Sequence, residues 1–189
     1  LFFTCEVDHG QYDDIKEIFW ASGACFLIKA SCFWEMKGFY EYFFMQSEET
    51  DLCWRLKLAG YKILYCSQSS IYHLGGAHLT YASSKKTFLN FRNNWVMLYR
   101  NMPTGIFWLK TAPLRLILDM AASFYFLVTS NLKNFIAVYN AIFRFFLWYI
   151  KTGRKEKKKI SNFTNLTGVQ NISIVVAYFI KKKKRYIDL

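Results

Sequence analysis

The chain has 189 residues, a formal net charge of +12, and a composition that is 53% hydrophobic and 20% aromatic. This length is sufficient for one hydrophobic core, but the apolar content is high for a soluble domain, so we expect contact with something apolar outside the protein. The charge is uneven: residues 1–60 contain ten acids and five bases, residues 61–150 one acid and nine bases, and residues 151–189 two acids and eleven bases. The basic character is therefore a property of the C-terminal part.

Cysteine usage argues against a disulfide framework or a zinc site. The five cysteines are odd in number, include no C-x-x-C pair and lie in apolar neighbourhoods, which predicts buried free thiols in a reducing compartment. The sequence shows no secretory signal and does not begin with Met. We expect it to be a fragment of a longer protein or a reading frame truncated at its start.

The first segment with a clear pattern is apolar and contains small residues. Cys25 to Ile28 predicts a buried strand, entered through Ser22, Gly23 and Ala24. Small residues let the backbone approach another molecule closely, although Gly23 is equally suited to a tight bend between strands. A short helix is then predicted from Ala30 to Met36, ended by a turn at Gly38.

A helix followed by an extended segment is predicted between residues 47 and 66. Ser47 is a suitable N-cap, the acids of the next four positions favour the first turn, and Gly60 suits a left-handed C-terminal residue. Alternation from Tyr61 to Cys66 then predicts an extended chain with two different faces.

The acids of this first turn, Glu48, Glu49 and Asp51, have two interpretations. Acids at a helix N-terminus are common stabilisers of the helix dipole, while a carboxylate held ionised there and pointed out of the fold can also serve as a general base. At about 100° per residue, Asp51 faces away from Glu49 and is predicted to pair with Arg55 at i+4.

Several segments carry a family resemblance. The stretches WASGACFLIKA from Trp20, GFYEYFF from Gly38, EETDLCWRLKLAGY from Glu48 and IYHLGG from Ile71, with KTFLNFRNN and SIVVAYFIKKKK further on, resemble the C-terminal half of a bacterial family 2 glycosyltransferase of the GT-A fold, of the surface-polysaccharide type. The resemblance implies an α/β fold class: the C-terminal part of a GT-A (Rossmann-like) domain, followed by amphipathic, membrane-associated helices. It also implies an inverting enzyme that transfers a sugar from a nucleotide-diphosphate donor to a lipid-linked or polysaccharide acceptor.

The resemblance also assigns roles to individual residues. Glu49 takes the general-base position, where many relatives carry Asp. Glu48 orients the acceptor or a neighbouring backbone group, and Asp51 is the third acid of the pattern. His73 is implied as one ligand of a divalent metal, Mn²⁺ or Mg²⁺, although as a lone histidine it also fits an ordinary loop position. The D-x-D motif that would complete the metal site is absent from this chain. The implied substrate-binding residues are Trp20, Ser22, Gly23, Ala24 and Arg55.

The second half of the sequence predicts three apolar helices. They span residues 86–100, 113–130 and 134–150, the first ended by Pro103, and Arg115 is spaced for an i,i+4 pair with Asp119. The charge-free runs are shorter than the roughly 20 residues of a membrane span, so we expect helices in the membrane interface, with a hairpin of two tilted spans as the alternative. Trp108 and Trp148 are predicted to lie at headgroup level.

The C-terminal tail, residues 151–189, contains two basic runs, Arg154–Lys159 and Lys181–Arg185, around a strand-like apolar piece, ISIVVAYFI. Such runs bind anionic membrane surfaces, or simply keep an apolar chain soluble, and bulky aliphatic neighbours argue against nucleic acid as the partner. We expect three regions: an acceptor and catalytic half of the GT-A domain in 1–80, membrane-associated helices in 81–150 and the tail. The expected location is the cytoplasmic face of the inner membrane. The alternative is a non-enzymatic membrane-anchoring or assembly protein that retains only the acceptor half of the fold.

Overall fold

A computed structural model describes residues 7, 9–73, 83–129, 131–160, 166–169, 176–183 and 185. This part of the chain is mostly helical and contains little strand, so the α/β character expected of a GT-A domain is not shown. Helices of the second half form the body of the structure, and the shorter elements of the first half lie against them.

Two short helices of the first half agree with the sequence prediction. Helix α1 spans Ala30–Glu35 and helix α2 spans Glu48–Leu58, and α2 is followed by Gly60 at φ +90° as predicted. Ser47 occupies the predicted N-cap position, but its side chain makes no capping hydrogen bond. Ser47 itself has φ +73°, whereas a capping residue normally has an extended backbone that directs its oxygen toward the first-turn N–H groups.

Strand structure is limited to one small antiparallel pair. Strand β1 (Lys16–Glu17) pairs with strand β2 (Leu64–Tyr65) in the register Lys16 to Tyr65 and Glu17 to Leu64. The predicted extended segment is therefore paired over two residues only. The strand predicted at residues 25–28 is wrong: these residues are irregular and Leu27 is fully exposed, because no other described segment lies beside them to form a ladder.

The four cysteines that the structure describes are free, but two of them are exposed. Cys53 is buried and Cys32 half-buried, whereas Cys25 and Cys66 are exposed. The prediction of buried thiols fails at these two positions because each lies in an irregular or edge segment rather than in a sheet interior. Cys5 lies outside the described residues.

The helical body consists of three long helices with short helical extensions. Helix α3 (Ser84–Asn101) ends before Pro103, as predicted, and packs against α6 (Leu132–Trp148), which also packs against α5 (Ala112–Val128). A short helix α4 (Thr104–Ile106) and a π-helical turn, Phe107–Thr111, lead into α5. A second π-helical turn, Tyr149–Gly153, leads from α6 into α7 (Arg154–Glu156).

The core of the structure is an aromatic cluster between α3, α6 and the π-helical turn that precedes α5. Trp95, Phe107 and Phe145 are each at most 2% exposed, and their ring centroids lie 5.1 to 6.1 Å apart. Trp148 belongs to the same cluster at 4% exposure, so its predicted headgroup-level position is wrong. The reason is that its indole N–H donates to the Tyr40 hydroxyl at 3.1 Å, which holds the ring inside the fold. Trp108 packs on the edge of this cluster.

Helices α5 and α6 expose a large apolar surface. Ile117 and Phe124 on α5 are 66% and 65% exposed, and Phe143 on α6 is 59% exposed. Within the part of the chain that the structure describes, one helical run, Thr104–Val128, has the length and hydropathy of a membrane span, and 22% of its most apolar window is buried. Length and composition alone also fit an ordinary core helix, but such a helix is mostly buried.

The C-terminal tail does not form the predicted strand-like piece where it is described. Val176–Ile180 is a π-helical turn, while residues 171–175 lie outside the described residues. The carbonyls of Val176 and Ala177 accept local hydrogen bonds from the N–H groups of Lys181 and Lys183, each at 3.0 Å, so these carbonyls are not available to a strand partner.

Candidate active site

The three acids at the start of α2 have different environments. Asp51 is fully buried, and its carboxylate accepts hydrogen bonds from Arg55 Nε at 2.8 Å and from the Asn101 side-chain amide at 2.7 Å. Arg100 Nε lies 3.5 Å from the same carboxylate. The predicted i,i+4 pair of Asp51 with Arg55 is thus present, within a four-residue group that we call the Asp51 cluster: Asp51, Arg55, Arg100 and Asn101.

Arg55, which the sequence placed among the substrate-binding residues, is occupied by contacts within the protein. Besides Asp51, its guanidinium donates to the carbonyl of Gly38 at 2.8 Å and to the carbonyl of Met36. These bonds tie α2 to the end of α1 and the turn after it. Arg55 thus has a structural role through its hydrogen bonds. Its exposed part also lines a cavity that is described below.

Arg100 and Asn101 come from the C-terminal end of α3, and sequence reasoning did not identify them. Arg100 also contacts Glu156 at 3.2 Å and lies 3.6 Å from the ring centroid of Tyr40. Neither residue stands in a motif, and each is about 50 residues from Asp51 in the chain. The one signal in the sequence was the excess of cations over acids in its second half, which indicated that this half could supply ion-pair partners for the acids of the first half.

Glu48 and Glu49 line a small cavity of about 300 Å³, which we call the acid cavity. Burial raises the pKa of the Glu48 carboxyl, and the neighbouring Glu49 raises it further. One oxygen of Glu48 is buried without a hydrogen-bond partner among the described residues. The other residues that line this cavity are Gly23, Phe26, Phe39, Tyr40, Glu41 and Phe44.

Gly23 is the residue of the small-residue segment that reaches the acids. A Cβ atom added at Gly23 would lie 3.5 to 3.7 Å from the Glu49 side chain, so the glycine backbone passes directly over this carboxylate. Ser22 and Ala24 are exposed and bond to each other, Ala24 N–H to Ser22 Oγ at 3.2 Å. Trp20 is 46% exposed, and neither it nor Ser22 or Ala24 lines the acid cavity.

His73, the implied metal ligand, is exposed, and the nine residues that follow it lie outside the described residues. Within the described ranges no group of three His, Cys, Asp or Glu side chains is placed to hold a metal ion. The described part of the chain therefore does not form a metal site by itself. The Gly75-Gly76 segment also lies outside the described residues.

The loop before α2 is fixed by helix α3. The side-chain amide of Asn93, which is fully buried, donates to the carbonyls of Phe43, Met45 and Gln46 at 2.7 to 3.1 Å. Arg92 supports it by donating to Asn93 Oδ1 at 2.7 and 2.9 Å. The position of the acids at the start of α2 thus depends on contacts with α3.

The first basic run of the tail packs against the same region instead of being uniformly solvated. Glu156 accepts a hydrogen bond from the Tyr40 hydroxyl at 2.8 Å, and burial together with this bond raises the pKa of Tyr40 to about 12. Lys157 donates to the Tyr99 and Met102 carbonyls, which α3 leaves unpaired at its C-terminus. Burial and the nearby Arg100 lower the pKa of Lys157 to about 8.

The larger cavity of the structure, of about 620 Å³, lies between this run and the Asp51 cluster; we call it the basic cavity. It shares Phe39 and Tyr40 with the acid cavity, so the two are neighbours. The carboxylates of Glu48 and Glu49 line the acid cavity, whereas the charged residues that line the basic cavity are five cations and two carboxylates. The site as a whole can therefore take a neutral polar group beside an anionic one.

Comparison with known proteins gives a distant, partial similarity. The chain is 36% identical over 58 residues to N-acetylglucosaminyl-diphospho-decaprenol L-rhamnosyltransferase of Mycobacterium tuberculosis, in strain CDC 1551 / Oshkosh and equally in strain ATCC 25618 / H37Rv. The match covers 31% of this chain and 19% of the relative's length. No protein family model and no solved structure matches the chain. The finding supports a relation to family 2 glycosyltransferases over that stretch.

Proposed function

We propose that this chain is part of an inverting glycosyltransferase that transfers a sugar from a nucleotide-diphosphate donor to a lipid-linked or polysaccharide acceptor. The observation that carries the proposal is Glu49 in the acid cavity, with the glycine backbone at Gly23 passing over its carboxylate. The similarity to a rhamnosyltransferase whose name specifies a diphosphate-linked lipid acceptor supports it. Those relatives are about five times longer than the matched stretch, so the activity belongs to the proposal.

The proposed step is a single displacement at the anomeric carbon of the donor sugar. Glu49 accepts the proton of the acceptor hydroxyl while that oxygen forms the new glycosidic bond, and the bond between the anomeric carbon and the donor diphosphate breaks. The electron pair of the broken bond leaves with the diphosphate, and the configuration is inverted. Mn²⁺ or Mg²⁺ with His73 as one ligand is a further prediction, and no step here depends on it.

The two other acids serve Glu49 in different ways. Glu48 stands beside it in a half-buried position, where burial raises its pKa, and we assign it the role of orienting the acceptor through a hydrogen bond. Asp51 is neutralised by two guanidinium groups and buried, so it anchors α2. This division leaves Glu49 as the proposed base.

The proposal is tested by Glu49→Gln in the full-length protein. Glutamine keeps the size and hydrogen bonding of the side chain but does not accept the proton, so turnover should fall by roughly 10² to 10⁴ while donor binding persists. Glu41→Gln, at another carboxylate of the acid cavity, is the matched control and should retain most of the activity. Near-normal turnover in Glu49→Gln, with activity abolished by Glu48→Gln in a folded protein, would move the base to Glu48.

We also propose that the protein works at the cytoplasmic face of a membrane, on which the exposed face of α5 and α6 lies. Apolar side chains as exposed as Ile117 and Phe124 favour burial in lipid, and the tail lysines favour anionic headgroups. Replacing Lys181 to Lys184 with Gln should weaken binding to phosphatidylglycerol vesicles mainly at low salt, whereas Ile117→Ser with Phe124→Ser should weaken it at all salt concentrations. If the protein does not bind the vesicles at either low or high salt, the proposal is contradicted.

A further inference from the structure

The basic cavity has an excess of positive charge that the protein does not neutralise. Its charged lining consists of five cations and two carboxylates, and the carboxylates, Glu35 and Glu156, are both exposed at the surface. Asp51 lies behind two of the cations, which leaves the region with a positive balance of two charges. The cations are Lys37, Arg55, Arg100, Lys158 and Lys159.

The charge that remains is on the lysines. Arg55 and Arg100 are held by Asp51, and Arg100 also pairs with Glu156 at 3.2 Å. Within the described part of the chain, Lys37, Lys158 and Lys159 take part in none of the ion pairs. Three ammonium groups around a cavity of about 620 Å³ suit a ligand with more than one negative oxygen, such as a phosphate or diphosphate.

The chain supplies a structural reason why two lysines of a charge run lie at this cavity. Lys157 is fixed to the C-terminal carbonyls of α3, and Glu156 is bonded to Tyr40 on the opposite wall. These two anchors hold the segment against the body of the fold, and Lys158 and Lys159 follow directly. Lys158 and Lys159 are therefore held in place at one side of the basic cavity.

The neighbouring acid cavity would repel such an anion. Glu48 and Glu49 line it together with Glu41, and cations are absent from its described lining. A ligand that spans both cavities across Phe39 and Tyr40 would thus place a neutral hydroxyl-bearing group at Glu49 and its phosphate at the lysines. A sugar linked to a phosphate has this distribution of charge.

We propose that the basic cavity binds the phosphate or diphosphate of a lipid-linked acceptor, with Lys158 and Lys159 as its main contacts, while the acceptor sugar reaches Glu49. This inference rests on the proposed function. The same lysines would also suit the phosphate of an anionic lipid headgroup, so the test must separate the two sources.

The first experiment measures binding of inorganic pyrophosphate to the full-length protein by calorimetry in EDTA, which removes any metal-dependent contribution. The double variant Lys158→Gln with Lys159→Gln should bind pyrophosphate at least about tenfold more weakly, since each charge-assisted contact is worth a factor of this order. The matched control, Lys151→Gln with Lys155→Gln, removes two exposed cations of the same segment that do not line the cavity, and should change binding less than about twofold. Equal weakening in both variants, or no binding to the unmodified protein, would overturn the proposal.

The second experiment separates an acceptor from a membrane headgroup. With a short-chain prenyl-diphosphate sugar as acceptor, the Lys158→Gln and Lys159→Gln variant should show a KM raised about tenfold and a nearly unchanged kcat, while transfer to the matching phosphate-free glycoside is unaffected. If the variant instead loses only its binding to phosphatidylglycerol vesicles, the lysines serve the membrane and the proposal is wrong. Pocket-specific pyrophosphate binding in a protein that transfers no sugar would overturn the proposed function, and with it the assignment of the phosphate to an acceptor.

Discussion

The acid cavity and the Asp51 cluster lie on opposite sides of the same helical turn and show opposite treatments of a carboxylate. Glu48 and Glu49 face a cavity whose described lining contains no cation. Asp51, two and three residues further on, is completely buried between two guanidinium groups and an amide. Glu48 and Glu49 therefore face a cavity, whereas the carboxylate of Asp51 is used in ion pairs that hold α2 in place.

This difference originates in the neighbouring elements and not in α2 itself. The Asp51 side faces the end of α3, which brings Arg100 and Asn101. The other side faces the small-residue segment at Gly23 and the aromatic residues that follow α1, which bring no positive charge. Whether an acid in a first helical turn is structural or available for reaction is therefore decided by what packs against each face.

The largest effect on stability is expected from Asp51→Asn. The substitution keeps the shape of the side chain but leaves Arg55 and Arg100 without their common carboxylate, which should cost about 3 to 5 kcal/mol in the free energy of unfolding. Urea denaturation measures this free energy. The control is Glu49→Gln, on the other side of the turn, which should change the free energy of unfolding very little. Similar stability in the two variants would remove the distinction between the two sides.

An intermediate effect is expected from Lys157→Met. Methionine keeps most of the apolar stem, but the Tyr99 and Met102 carbonyls lose their donor, so the free energy of unfolding should fall by about 1 to 3 kcal/mol. Lys155→Met, at an exposed lysine of the same run, should change it little. If both variants are neutral in thermal and urea unfolding, the tail does not support the α3 end of the Asp51 cluster.

The smallest effect is expected from Glu48→Gln and depends on pH. Because burial raises the pKa of Glu48, the folded chain binds this proton more tightly than the unfolded chain, so the stability contributed by Glu48 falls as the pH rises through the shifted value. The variant should therefore be more stable than the wild type at neutral pH, by less than about 1 kcal/mol because the side chain is partly solvated, and the difference should disappear below roughly pH 4. Glu41→Gln is the control, and a Glu48→Gln variant that is less stable at neutral pH would contradict the assignment.

Local features of the structure could be predicted from the sequence. The helices α1, α2 and α3, the left-handed Gly60 and the i,i+4 pairs of Asp51 with Arg55 and of Arg115 with Asp119 depend on residues within one or two turns of each other. Ser47 lies at the predicted N-cap position, but its positive φ and missing capping bond could not be predicted, because Asn93, a distant residue, holds the preceding carbonyls.

The parts of the site that the sequence did not indicate are long-range contacts. Tyr40 and Glu156 are 116 residues apart, and Asp51 and Asn101 are 50 residues apart, and neither pair follows a helical or strand period. A tryptophan at the end of an apolar helix, such as Trp148, predicts a position at a membrane interface, where this residue type is common. Its actual position follows from a hydroxyl partner on a distant segment, which no local pattern reveals.

The contact of Asn93 with the loop before α2 has a consequence for folding. Phe44, Gln46 and Ser47 all have positive φ, a conformation that costs a non-glycine residue roughly 1 to 2 kcal/mol. Asn93 holds this loop by donating to the carbonyls of Phe43, Met45 and Gln46. A peptide that ends before residue 83 would have this strained loop without its partner. We therefore expect the first turn of α2 to form late in folding, after α3 has docked, so that the proposed catalytic base is among the last residues to reach its native position.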